Sequence, residues 1–325
     1  MGLLSPFTII LRIPKHNKAV DTVKMAGNRF ENLLKSEDII LLDGAMGTML
    51  IRSGISPGDC PEAWNVDQPE NIRAVHRGYI QAGSRIILTN TFGGTGIRLR
   101  RHNLEGRVGE LNREAARIAR LEADAATNPV AVGGSIGPTG SILKPIGPLD
   151  YNEARDAFAE QAQALHEGGV DVLWIETMSD LNEVKAAHES VRSVSDLPVV
   201  ATMSFDTAGR TMMGIKPGQM VKVLTDLGLF VMGANCGKGP DELIISIQAM
   251  KAENPDITLV AKANAGLPKI EAGQVVYDGS PEVMAEYALQ AQKTGARLIG
   301  GCCGSTPEHI QAMAQALGLP IPGEK

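Results

Sequence analysis

Three observations predict an α/β fold of the (β/α)8 TIM-barrel class. Short apolar runs recur eight times from Ile39 onward, helical patterns fill the gaps between them, and no linker or change of composition interrupts the alternation. The runs are continuously apolar rather than alternating, which suits parallel strands covered on both faces. A doubly wound open sheet is the alternative; it needs fewer strands and a topological switch point.

Taken in order, residues 1–24 stand apart. The apolar stretch LLSPFTIILRI (3–13) has no basic residue before it, is interrupted by Pro6 and is too short to span a membrane. Residues 1–24 are therefore expected to be a disordered extension or a start-site artefact, with Met25 as the alternative start and residues 25–320 as the barrel domain. A helix-like AGNRFENLLKS leads into the first strand, IILLDG (39–44). In NIRAVHRGYIQAG (71–83), Ile72, Val75 and Tyr79 recur at helical spacing and Gly83 ends the run. The second and third strands are RIILTNTF (85–92) and VAVGGSIG (130–137). Ala154, Phe158, Ala162 and Leu165 then form the inner stripe of a helix over 153–169, ahead of the fourth strand, VLWIET (172–177). VVATMSF (199–205), FVMGANC (230–236), TLVAKANA (258–265) and RLIGGCC (297–303) complete the set. Ser280-Pro281-Glu282 and Thr306-Pro307-Glu308 each supply an N-cap hydroxyl, a proline at the first helical position and an acid in the first turn.

The 325 residues are 43% apolar and 21% charged, enough to bury a substantial core. A net charge of −6 offers no footprint for nucleic acid or an anionic membrane. Four cysteines in a chain of this length do not make a disulfide framework, which points to a reduced, cytoplasmic protein that uses thiolates for chemistry. An oligomer is compatible with this composition, and nothing in the sequence specifies one.

In a barrel of this class the chemistry lies at the C-terminal ends of the strands. Those ends carry Asp43, Asn90, Glu176, Asn235-Cys236 and Cys302-Cys303. Three thiolates from two strand ends make a Cys₃ zinc site with an open fourth position, the mark of a catalytic rather than a structural zinc. Adjacent cysteines in a regular strand point to opposite faces, so Gly300, Gly301 and Gly304 are expected to let the backbone turn both sulfurs toward one ion. A three-thiolate Zn²⁺ carries net charge −1, a poor Lewis acid for hydrolysis but well suited to holding a further thiolate that stays nucleophilic, which favours alkyl transfer to a thiol. Rival readings are a zinc- or redox-responsive thiol protein and a barrel enzyme with incidental cysteines. Cys60 lies in a loop without such context; His76, His166 and His188 lie in helical stretches, His102 just before one, and His309 in the first turn of the last helix. Asp43 read alone is a helix N-cap or a site residue, Glu176 a buried ion-pair partner or a site residue. Asn90 and Asn235 orient ligands, accept substrate hydrogen bonds or stabilise turns, and Ser135 lines the pocket or caps a turn.

LDGAMGT (42–48), TNTFGGT (89–95), WIET (174–177), GANCG (233–237) and GGCCG (300–304) together resemble the zinc-dependent homocysteine S-methyltransferases, over residues 38–318. The resemblance implies that Cys236, Cys302 and Cys303 bind zinc and that homocysteine sulfur fills the fourth position. It also implies that Asp43 and Glu176 hold the homocysteine ammonium, and that backbone amides of the turn Gly44, Ala45 and Met46 take its carboxylate.

Members of this family differ in methyl donor: betaine, S-methylmethionine, S-adenosylmethionine or methylcobalamin. The chain has no room for folate or cobalamin domains, so a cobalamin route requires a separate corrinoid protein. Residues 61–72, 89–100 and 204–214 are most similar to bacterial proteins of the betaine–homocysteine methyltransferase type, which implies betaine. The animal betaine enzymes place tyrosines where this chain has Gly93 and Thr177, and only 4% of its residues are aromatic. Trp64 is a rim or helix-packing residue, and Trp174 is expected in the core.

Overall fold

Eight parallel strands close into a barrel in the computed structural model, which describes residues 27–323 apart from 57, 272 and 273. The expected extension over residues 1–24 lies outside the described residues. The first seven strands are β1 (Ile40–Leu41), β2 (Ile86–Leu88), β3 (Ala131–Ile136), β4 (Val172–Met178), β5 (Val199–Met203), β6 (Val231–Cys236) and β7 (Thr258–Ala263). An antiparallel pair follows outside the barrel, β8 (Pro268–Glu271) with β9 (Gln274–Tyr277), and then the last barrel strand, β10 (Ala296–Gly301). The order β1-β10-β7-β6-β5-β4-β3-β2 becomes a ring through a parallel bridge between Leu42 and Ile86. There Arg85 N donates to Leu41 O at 2.8 Å and Asp43 N to Ile86 O at 3.1 Å.

The barrel is filled by side chains that point inward, among them Leu42, Leu88, Trp174, Val260 and Leu298. Phe30 and Leu33, from the helix Arg29–Ser36, join this cluster. That helix is tied down by Asn28, whose side chain caps Glu31 N and donates from Nδ2 to Asp171 O at 2.6 Å. Outside the barrel the expected helical stripes are buried: Ile72, Val75 and Tyr79 on Pro69–Gln81, and Ala154, Phe158, Ala162 and Leu165 on Tyr151–Gly168. Each large apolar side chain of this kind contributes roughly 1.5–3 kcal/mol. Ser280 and Thr306 cap their helices as expected, the latter in a capping box with His309. Trp174 is fully buried in the barrel interior. Among the described residues no helix is long and apolar enough to cross a membrane.

The strands begin where the sequence predicts, but several end early: the regular strands β1 and β2 stop at Leu41 and Leu88, and only single bonds, such as the Leu42 bridge and Thr89 N to Gly133 O at 2.9 Å, continue past them. The β8–β9 pair was not predicted.

Candidate metal and substrate site

The strands that end early do so at the rim, where their last residues turn to surround a cavity of about 440 Å³. Asp43, Gly44, Ala45, Met46, Asn90 and Ser135 line it, with Glu176 and the three cysteines. Asn235 lies just behind this lining.

Cys236 ends β6 in a left-handed conformation, φ 62°, uncommon for a residue with a side chain. Cys302 and Cys303 follow β10. The Cys236 and Cys302 sulfurs approach to 2.9 Å and those of Cys236 and Cys303 to 3.8 Å, and all three lie within 4.8 Å of one another. The edge of a tetrahedral zinc–thiolate site is about 3.8 Å, given Zn–S near 2.3 Å. Hydrogen bonds from Cys236 and Cys302 pull the Cys303 thiol down to about 3, while hydrogen bonding to its two neighbours pushes Cys236 well above the ordinary thiol range. A divalent cation is what lets three clustered thiols all be thiolates, so the donor set suits a thiophilic ion such as zinc.

The glycines of GGCCG act differently from the sequence expectation. Only Gly304 turns the chain through positive φ, +81°. Gly300 and Gly301 serve close approach instead: a Cβ on Gly300 would lie 2.5 Å from Leu42 Cβ, and one on Gly301 2.1 Å from Ser305 Oγ. Cys302 N donates to Ala263 O at 2.6 Å and Cys303 N to Asn264 Oδ1 at 3.0 Å, which fixes the vicinal pair against β7.

Asn235 anchors the cluster from behind. Its Oδ1 accepts from Thr177 N at 2.9 Å and Thr202 Oγ1 at 2.6 Å, and its Nδ2 donates to Thr177 Oγ1 at 2.6 Å and points at Cys302 Sγ, 3.8 Å away. Thr177 also has a left-handed backbone, φ 60°, so the ends of β4 and β6 are two strained turns pinned by one amide. Asn90 holds the loop after β2, donating to Pro61 O at 2.7 Å and Asn65 Oδ1 at 3.0 Å.

Glu176 accepts from Ser135 Oγ at 2.5 Å, and burial raises its carboxyl to about 7. Asp43 does not cap the helix Met46–Arg52, whose N-cap is Ala45. Its two oxygens are engaged instead by Lys262 Nζ at 2.8 Å and Leu88 N at 2.7 Å. Burial pushes Asp43 up, yet Lys262, drawn up by Asp43, Glu176 and Cys302 against its own burial, keeps its proton. The 2.8 Å contact and the second donor on Asp43 make this an ion pair. Gly44 passes so close to Tyr79 that a Cβ there would lie 2.8 Å from the ring; the Tyr79 hydroxyl sits 3.0 Å from both Ala45 O and Ser305 O, tying the first loop to the last.

Lys262 is the residue the sequence reading missed. A lysine inside TLVAKANA, a strand covered on both faces, calls for an acidic partner, and that signal was available. Lys262→Met is expected to leave the Asp43 carboxylate buried and unpaired, destabilising the fold by about 3 kcal/mol or more in denaturant titrations. The double variant Asp43→Asn/Lys262→Met is expected to recover most of that loss. Tyr277 was also missed: its ring packs on Gly304, the residue after the vicinal cysteines.

Other candidates fall away from the cluster. Cys60 is buried, its thiol on Glu62 at 3.3 Å and pushed up to about 12 by burial. His309 accepts from Thr306 N at 3.1 Å and serves the helix cap. His76 is fully buried on its helix, where burial lowers it to about 4. Trp64 packs against the outer core.

Comparison with known proteins agrees with this geometry. The family model for homocysteine S-methyltransferases matches residues 40–317. The chain is 33% identical over 297 residues to the methionine synthase of Mycobacterium tuberculosis and 32% identical to that of Mycobacterium leprae, in each case over 87% of this chain. It spans about a quarter of the length of those synthases, 25% and 24%. The metallated form of the homocysteine methyltransferase MmuM from Escherichia coli superposes with a TM-score of 0.75 at 25% identity, covering 89% of this chain and 99% of that one. On its motifs, its barrel and these matches, the chain belongs to the homocysteine S-methyltransferase family.

Proposed function

We propose that the chain forms methionine from homocysteine at a zinc ion held by Cys236, Cys302 and Cys303, in the cytoplasm, with betaine as methyl donor. The observation that carries this reading is the cluster of three thiols at one wall of a cavity whose floor holds Glu176 and the Asp43–Lys262 pair. Zinc bound there would keep the homocysteine sulfur as a thiolate at neutral pH.

The chain's own groups handle the rest of the substrate. Glu176, with Ser135 fixing one oxygen, accepts the homocysteine ammonium, and Asp43, paired with Lys262, lines the cavity beside it. The free amides of the Gly44-Ala45-Met46 turn receive the carboxylate; Ala45 has no capping side chain, and its N–H makes only a long 3.3 Å contact to Ser305 O. Asn235 and Asn90 hold the walls. With the amino-acid end fixed in this way, the sulfur bonds the donor methyl carbon as the methyl–nitrogen bond breaks, and the electron pair leaves with dimethylglycine.

A second reading is favoured by the mycobacterial relatives, which are named methionine synthases: the chain would activate homocysteine for a methyl group carried by a separate corrinoid protein. Methionine formation assayed with betaine, S-methylmethionine, S-adenosylmethionine and methylcobalamin, each offered alone with zinc-loaded protein, separates the two. Turnover with betaine is expected; turnover with methylcobalamin alone would replace betaine and leave the homocysteine half intact.

A further inference from the structure

Across the ring from Cys236, in the helical turns after β2, two arginines meet at the cavity wall without a carboxylate between them. Arg98 and Arg101 both line the cavity that the three thiols line. Strand β2 stands opposite β6 in the eight-membered ring, so this wall faces the sulfur of Cys236. The two guanidiniums converge on Gly140, where a Cβ would stand 2.9 Å from Arg101 Nη2 and 3.2 Å from Arg98 Nη1. Backbone carbonyls use only part of their donor capacity: Arg101 Nη2 donates to Gly140 O at 3.0 Å, and Arg98 Nη1 to Pro138 O at 3.5 Å. The Phe92 ring, 5.4 Å from the Arg98 guanidinium carbon, holds that side chain against the wall.

Neither guanidinium ion-pairs with a carboxylate among the described residues. Glu62 and Glu183 act on Arg98 only through space, without contacting its guanidinium, and their oxygens are hydrogen-bonded elsewhere. Glu62 accepts from Gly93 N at 2.6 Å and from the Cys60 thiol, and Glu183 accepts from Thr139 N at 2.8 Å and Thr139 Oγ1 at 2.6 Å. Two neighbouring cations that repel each other, have spare N–H donors and border a cavity make a receptor for an anion. Gly93 adds to the case. A side chain there would meet Glu62 Oε1 at 2.8 Å and Arg98 Nε at 3.3 Å, so charged groups fill the room that an aromatic cage would need.

We propose that Arg98 and Arg101 form the anion subsite of the donor half of this cavity and bind the carboxylate of a small methyl donor carrying a cationic methylated centre. The inference rests on the reading of the thiol cluster as the homocysteine site, because it sets the donor opposite that sulfur. The subsite grips the donor by its carboxylate end and leaves the methylated centre to face the thiols, in place of recognition of the onium group by aromatic faces.

The test is calorimetric and needs no turnover. Zinc-loaded protein is first titrated with homocysteine; fresh zinc-loaded protein without homocysteine, which has no methyl acceptor, is then titrated with betaine against choline and with S-methylmethionine against its methyl ester; each second ligand keeps the cationic centre and lacks the carboxylate. In at least one pair the carboxylate ligand is expected to bind about tenfold tighter or more. Arg101→Ala is expected to equalise that pair, and Arg101→Lys to restore part of the preference. Arg101 is exposed and its one backbone hydrogen bond is at the surface, so its variants are expected to fold. Equal affinities within both pairs for the unaltered protein, or a preference that survives Arg101→Ala, would overturn the subsite. Failure of homocysteine itself to bind in the first titration would instead overturn the reading of the thiol cluster.

Discussion

Replacing Cys236 by alanine is expected to remove bound zinc and cut methionine formation by at least about 10³-fold, or ~4 kcal/mol of barrier. The physical reason is the geometry of the cluster. Cys236 is the single thiol from β6 and the one within 3.8 Å of both members of the vicinal pair. Without it, two sulfurs on adjacent residues remain, which cannot by themselves enclose three corners of a tetrahedron. The fold is expected to survive, because Cys236 ends its strand only partly buried and outside the apolar clusters. Circular dichroism and metal analysis on the same sample separate the two effects. Cys60→Ala is the control: that thiol belongs to a separate apolar cluster and sits on Glu62, so zinc content is expected to stay unchanged.

Glu176→Gln is expected to weaken homocysteine binding by about 100-fold, ~3 kcal/mol, since it removes one partner of a desolvated charge pair. In the unaltered protein the same carboxyl confers a pH dependence. Its acidity lies at about 7, raised by burial, so the ammonium meets an ionised partner above that pH and must expel a proton below it. The Glu176-dependent part of the affinity is expected to be complete above pH 7 and to fall by up to about tenfold per unit below it. Glu176→Gln is expected to abolish that part, which distinguishes it from titration of the substrate thiol. Stability responds in the opposite sense. A carboxyl raised in the folded state favours folding below its unfolded value, and that contribution is lost as pH rises through about 7. Glu176→Gln is therefore expected to stabilise the substrate-free fold by about 3 kcal/mol at pH 8 and to have little effect at pH 4.

The parts of this molecule that obey a short-range rule were legible in the sequence. Continuous apolar runs gave all eight barrel strands, and the Ser-Pro and Thr-Pro pairs gave two helix starts. The ends of β1 and β2 were overrun because apolar and small polar residues continue past the regular strand, at residues 42–44 and 89–92; periodicity does not register a strand that leaves the sheet to form a rim. The thiol cluster was legible because cysteines at strand ends of a parallel barrel are gathered at one rim. The partner of Asp43 was not, because pairing β1 with a lysine 219 positions away is a fact of ring closure. For the same reason the role of Asn235 is not legible from sequence: it is set by Thr177, Thr202 and Cys302, which come from other strands. The β8–β9 pair was hidden behind a strand prediction that ran to Ala265, and the contact of Tyr277 with Gly304 depends on how that pair folds back over the last barrel loop.

The central claim is that three protein sulfurs hold a zinc ion whose remaining position takes the sulfur of homocysteine. X-ray absorption at the zinc edge, on metal-loaded protein before and after homocysteine is added, tests it most directly. Three sulfur neighbours plus one lighter ligand are expected before addition and four sulfurs at about 2.3 Å after it. An absorption spectrum that homocysteine leaves unchanged, or zinc held by fewer than three sulfurs from the start, would contradict it.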